Sequence, residues 1–199
     1  ALPMLRSLWN DGMAFSVDLL GEACVSDGEA AEYQRRYLDL VENLPDSVAA
    51  WPENSVLEHD HLGPIPRANV SIKISSLFAR TDPIDHAGSL DGLVEALRPI
   101  LERAAERNVL VNFDMEHYGL KDLTLDLFER CCETIDFTAG LAMQAYVRSG
   151  DADAARIIRW SQRTGRQVTV RLVKGAYWDA ETIEAEMHGW PVPVWSRKR

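Results

Sequence analysis

Cysteine is scarce in this sequence and arranged for neither metal nor disulfide chemistry. Cys24 stands alone and Cys131 adjoins Cys132, so there is no C-x-x-C pair and no disulfide framework. A reducing, cytosolic-type compartment is the default this implies. No apolar run approaches the ~18 residues a membrane span needs, and the N-terminus has no basic-then-apolar signal pattern. Neither absence excludes peripheral membrane contact. Positive charge is in deficit, with 21 Lys and Arg against 31 Asp and Glu and a net charge of −10. Nucleic acid and anionic surfaces therefore have no broad patch to bind, and a small anionic ligand must be held by a local cluster of cations. The dinucleotide fingerprint G-x-G-x-x-G follows none of the predicted strands.

What is present centres on Gln167-Val-Thr-Val-Arg-Leu-Val-Lys-Gly-Ala-Tyr-Trp-Asp179. It starts as a strand and breaks at Gly175 into an aromatic pair and an acidic helix start. Arg171 and Lys174 in an otherwise β-branched run are costly to bury unless something anionic meets them. Gly175 allows close approach of backbone, and Trp178 offers a flat face. A phosphate-bearing aromatic cofactor suits such a place.

Residues 1–68 read as a helical lead-in and linker. Residues 1–42 are helical with no strand among them, including a capping box of Ser26 and Glu29. Residues 43–68, with Pro45, Pro52, Pro64 and Pro66, read as irregular apart from a short helix around Ser47 to Trp51. From residue 69 to 199 strands and helices alternate. Strands are predicted over Asn69–Ser75, Val109–Asp114, Gly140–Ala145 and Gln167–Val173, and helices over Leu90–Arg107, Lys121–Cys132, Ala152–Thr164 and Ala180–His188. Four consecutive β-α units argue a parallel sheet.

Each strand carries a polar residue at or near its C-terminal end: Lys73, Asp114, Gln144 and Arg171. Strands covered on both faces should be nearly all apolar. A (β/α)8 barrel explains the departures, because its active site is assembled from strand ends at that face. A whole barrel takes roughly 250 residues, so the chain reads as an α/β protein holding the first half of a TIM-type barrel. Each residue also has a plainer reading. Lys73 fits an edge-strand gatekeeper, Asp114 a helix N-cap, Gln144 a satisfied buried amide, and Arg171 and Lys174 solvated cations. Asp114, Glu116 and His117 compose a metal set only if a loop brings them to one side, since neighbours on a strand face opposite ways. Lys73 and Asp114 on adjacent strands suit a buried ion pair.

The strings Val170-Arg-Leu-Val-Lys-Gly-Ala-Tyr-Trp178 with Asp179 and Glu181, Val17-Asp-Leu-Leu-Gly-Glu-Ala23, Ser71-Ile-Lys-Ile-Ser-Ser76, Phe113-Asp114 with Glu116, Ala142-Met-Gln-Ala-Tyr146 and Trp195-Ser-Arg-Lys198 resemble proline dehydrogenases. The likeness is strongest to the proline dehydrogenase domain of bacterial proline utilisation A. It implies a distorted (β/α)8 barrel that holds FAD and oxidises L-proline to Δ1-pyrroline-5-carboxylate, with electrons passing to a membrane quinone. It further implies a cytoplasmic protein with peripheral contact at the inner membrane and, in bifunctional relatives, an aldehyde dehydrogenase domain elsewhere in the parent chain. By the same resemblance Lys73 contacts the substrate carboxylate and pairs with Asp114, and Arg171 sits beside the reactive flavin nitrogen. Gln144, Val173, Lys174, Gly175, Ala176 and Trp178 line the cofactor, and Ser196 and Lys198 match a T-R-K segment near it. The later strands of the barrel are not in this sequence, so the chain alone is expected to turn over little or nothing. A metal-dependent barrel hydrolase or isomerase and a non-catalytic barrel remnant are the competing readings.

Overall fold

The computed structural model describes residues 1–21 and 23–196. Its elements run α1 (Leu2–Asn10), β1 (Val17–Asp18), α2 (Asp27–Ala49), α3 (Ser55–Glu58), a small hairpin of β2 (His59–Asp60) and β3 (Gly63–Pro64), then β4 (Ala68–Ile72), α4 (His86–Glu106), β5 (Val109–Phe113), α5 (Lys121–Thr134), β6 (Thr138–Gln144), α6 (Gly150–Thr164), β7 (Val168–Val173) and α7 (Trp178–His188). Five strands form one parallel sheet in the order β1-β4-β5-β6-β7. The order never reverses. A doubly wound sheet turns back at its switch point, whereas an arc of barrel keeps adding strands on one side.

The four predicted β-α units form, with boundaries moved by a few residues. Two corrections concern the lead-in. It does contain a strand: Val17 and Asp18 pair with Val70 and Ser71. And the helix predicted to stop near residue 42 continues to Ala49 through Pro45. An interior proline costs about 3 kcal/mol, but Tyr37, Val41, Leu44 and Val48 form one buried stripe across it, and that burial outweighs the lost backbone hydrogen bond. The segment after it is less irregular than expected, because it folds into α3 and the hairpin.

Helix ends follow local chemistry. Ser26 Oγ accepts from Glu29 N at 3.2 Å, while Glu29 Oε2 accepts from Val25 N at 2.8 Å, a capping box with its return bond displaced by one residue. Asn108 and Gly165, after α4 and α6, take the positive φ values of 51° and 72° that end helices. Packing is densest over β4 and β5, where Leu93, Leu97, Ile100 and Leu101 of α4 are wholly buried. It thins towards β7, where Leu172 is 72% exposed and Val170 is also exposed.

Candidate functional site

Strand register sorts the sheet into two chemically different faces. Ser71, Asn112, Gly140 and Thr169 lie in one row, and Ala142 and Arg171 in the next, while Gln144 pairs with Val173 beyond it. Paired residues of parallel strands share a face. The alternate positions, Val70, Ile72, Val111, Phe113, Leu141 and Met143, belong to the apolar core under the helices. One face is therefore a hydrophobic floor for helices and the other carries nearly every polar side chain of the sheet. The strand-end residues singled out above all fall on the polar face.

These side chains meet as a row of alternating charge. Lys73 Nζ contacts Asp18 Oδ2 and lies 3.6 Å from Asp114 Oδ2, and Arg171 Nη2 contacts Asp114 Oδ1. The row reads anion, cation, anion, cation across β1, β4, β5 and β7. The expected Lys73 and Asp114 pair is present, though Asp18 is the nearer partner. Lys73 and Asp114 are mostly buried, with side chains 15% and 14% exposed. Burial pushes the Asp114 carboxyl above the usual carboxylate range, against the pull of Arg171 and Lys73. Burial works against the charged form of Lys73 as well, but Asp18 and then Asp114 hold its ammonium above the ordinary lysine value.

Above this row the loops are latched to one another. Glu116 is buried and receives Ser75 N at 3.1 Å and Ser75 Oγ, joining the loop after β5 to the turn after β4. Burial raises the Glu116 carboxyl despite both donors. Gln144 Nε2 donates to the carbonyls of Met115 and Glu116, at 3.2 and 3.1 Å. That fixes its amide orientation, because an oxygen there would face two acceptors. Its Oε1 is buried and, among the described residues, meets no donor; the same holds for Arg171 Nε, a buried donor without an acceptor. Glu181 of α7, buried and raised by that burial, accepts from Tyr118 N. Glu181→Ala is expected to destabilise the protein by about 1–3 kcal/mol by leaving that amide unpaired. Hydrogen exchange at Tyr118 should accelerate more than in the α4 core, and uniform acceleration would refute a local role.

Lys73, Asp114, Gln144, Arg171 and the β7–α7 turn enclose a cleft of about 430 Å³. Val173, Gly175 and Ala176 also line it, whereas Lys174 is exposed and Trp178 is absent from the lining. Trp178 Nε1 donates to Trp195 O at 2.8 Å and Trp195 N donates to Tyr146 O at 2.9 Å, so the C-terminal segment is strapped across the loop after β6. Ser196 is exposed next to that strap. Lys198 lies outside the described residues. Asp114, Glu116 and His117 do fall beyond the strand end, but Asp114 turns to the cations and Glu116 to Ser75. Among the described residues no three metal-ligating side chains converge.

Sequence reasoning missed Asp18 as a site residue and Tyr146 as the cover of Gly175. Phe15, Val17 and Leu19 alternate with Ser16 and Asp18, a period of two that signals a strand in this stretch. Nothing local marks Tyr146, whose contact arises from packing between two loops.

The profile of the proline dehydrogenase family matches residues 1–199. The bifunctional protein PutA of Escherichia coli K12 is 29% identical over 203 aligned positions, which take in 100% of this chain and 14% of that protein. Proline dehydrogenase of Deinococcus radiodurans is 29% identical over 186 positions, 92% of this chain and 51% of that protein. Proline utilization A of Bdellovibrio bacteriovorus, a crystal structure of the protein inactivated by N-propargylglycine, superposes with a TM-score of 0.94 at 39% identity, over 99% of this chain and 21% of that one. The chain thus spans about half or less of the length of the relatives it matches. With its five-stranded parallel sheet in unbroken order, a TIM-barrel type α/β fold, this chain belongs to the proline dehydrogenase family.

Proposed function

We propose that this chain is part of the catalytic domain of a larger protein that oxidises L-proline to Δ1-pyrroline-5-carboxylate with FAD and passes the electrons to a quinone. The observation that carries the reading is the cleft where Lys73, Asp114, Arg171 and Gln144 converge from separate strands. The residues fit the cofactor. Gln144 Oε1 is a buried acceptor and Arg171 Nε a buried donor, both unpartnered among the described residues and both on residues that line the cleft. They suit the alternating donors and acceptors of an isoalloxazine edge. FAD, when bound, supplies the two-electron acceptor for the C–H bond beside the amine.

The chain's own residues supply placement and charge. Lys73 receives the substrate carboxylate, and Asp114 lies between Lys73 and Arg171 and pairs with both. Arg171 offers positive charge to the cofactor ring, and Val173, Lys174, Gly175, Ala176, Trp178, Ser196 and Lys198 complete its surroundings. Much of the rate then comes from orientation. The Bdellovibrio protein is inactivated by N-propargylglycine, which like proline joins a secondary amine to a carboxylate through one carbon, and this supports the substrate class. The exposed outer residues of β7 support truncation, as the next strand and helix of a barrel would cover them. We place the parent in the cytoplasm, with peripheral contact at the inner membrane where the quinone resides. An aldehyde dehydrogenase domain in the same parent chain accords with the bifunctional relatives. Among the described residues no helix is long and apolar enough to cross a membrane.

The test is the visible absorption spectrum of the complete protein that carries this chain, followed by proline-dependent reduction of a dye. A flavin band that proline bleaches is expected. A colourless protein that takes up no added FAD and binds no proline would refute the reading. The 199-residue chain alone is expected to show little or no proline turnover.

A further inference from the structure

Lys73 is held by two carboxylates that differ in position. Asp114 lies one residue beyond β5 at 3.6 Å and is shared with Arg171. Asp18 contacts Nζ directly from β1, and its backbone pairs with Ser71, two residues before Lys73 along β4. Asp18 is thus rooted a layer beneath the ammonium and is not among the residues that line the cleft. The main chain of Lys73 is also pinned, since its N–H donates to the wholly buried Tyr37 hydroxyl at 3.4 Å.

We propose that Asp18 is a positioning residue, which holds the Lys73 ammonium charged and aimed at the cleft so that it can receive the substrate's carboxylate. The inference rests on the proline-oxidising reading above. Its physical basis is competition for Nζ. With Asp18 neutralised, the nearest anion left to Lys73 is Asp114, and the gap of 3.6 Å closes, since a buried ammonium moves to whatever charge compensates it. The ammonium is then satisfied inside the protein and Asp114 is drawn away from Arg171.

The groups facing Lys73 are Asp18 on β1, Asp114 after β5, the Tyr37 hydroxyl from α2 and Glu116 in the loop after β5, with Arg171 acting through Asp114. Of these, Asp18 contributes most to holding the ammonium charged against burial. Without it the Lys73 pKa falls. A cation's binding capacity is present below its pKa and lost as pH rises through it, so the alkaline limb of kcat/KM moves to lower pH.

The experiment compares wild type, Asp18→Asn, Lys73→Met and the double variant in the complete FAD-loaded protein. Expected for Asp18→Asn is a rise in KM for proline of about ten- to a hundredfold, the size of one charge-assisted interaction. The change in kcat should be smaller, the flavin content unchanged and the alkaline limb displaced downward. In the Lys73→Met background Asp18→Asn should add little. Unchanged KM and pH profile, or additive losses in the double variant, would overturn the inference while leaving the proline reading intact. A wild type that neither binds nor oxidises proline would overturn both. Should Asp18→Asn not fold, Asp18→Glu takes its place: a raised KM with the alkaline limb in place supports the inference, and an unchanged KM overturns it.

Discussion

Replacing Arg171 by Met in the complete protein is expected to lower proline turnover by about a hundredfold or more, the usual effect of removing a preorganised charge from a reacting centre. Arg171 is the terminal cation of the row, bonded to Asp114 on one side and lining the cleft on the other. Met keeps the apolar stem and removes the charge, so the row loses its balance and Lys73, at 3.6 Å, is the cation left beside Asp114 among the described residues. Because burial already raises the Asp114 carboxyl, loss of the Arg171 charge raises it further. Arg171→Lys should fall between the two, since it restores charge without the planar fork that serves carboxylate and cleft together. Steady-state kinetics with a dye acceptor, with flavin content measured beside it, checks this. Turnover near wild type with full flavin occupancy would remove Arg171 from the reaction.

The parts of this site legible in the sequence are those where a local rule was broken. Lys73, Asp114, Gln144 and Arg171 interrupt runs that a sheet covered on both faces would keep apolar, and all four meet at one cleft. The β-α rhythm was legible for the same reason, since α4 shows its buried stripe of Leu93, Leu97, Ile100 and Leu101 directly in the spacing. Where tertiary packing overrides a local rule, the sequence misleads. Pro45 reads as a helix stop, yet Leu44 and Val48 carry the buried stripe of α2 past it. A two-residue element is easily passed over, so β1, which delivers Asp18, is read as part of a helical lead-in although the alternation from Phe15 to Leu19 marks it. The polar latch of Ser75, Glu116, Gln144 and Glu181 joins residues up to 63 positions apart, and no window along the chain contains it. Composition also does not give the state of the two adjoining cysteines, both buried, where burial pushes the thiols up to about 12 and away from the reactive thiolate form.

Gly175→Ala is expected to damage the site more than any other single methyl group. Gly175 has φ +105°, a conformation L side chains rarely adopt, and a Cβ built there would lie 1.5 Å from Tyr146 Cε1. Two separate penalties follow. Backbone strain at such an angle costs on the order of 1–3 kcal/mol, and Tyr146, itself tied to the strap through its carbonyl and Trp195 N, must leave its place. Its displacement shifts the turn that presents Val173, Gly175 and Ala176 to the cleft. The expected result is a lower melting temperature together with loss of retained flavin, measured by thermal unfolding and by the visible spectrum. Adding Tyr146→Ala separates the two penalties. The double variant should recover the part due to collision, since the ring is gone, and keep the part due to the backbone angle. If Gly175→Ala melts like wild type and keeps its flavin, the turn does not hold this conformation, and the cleft is built some other way.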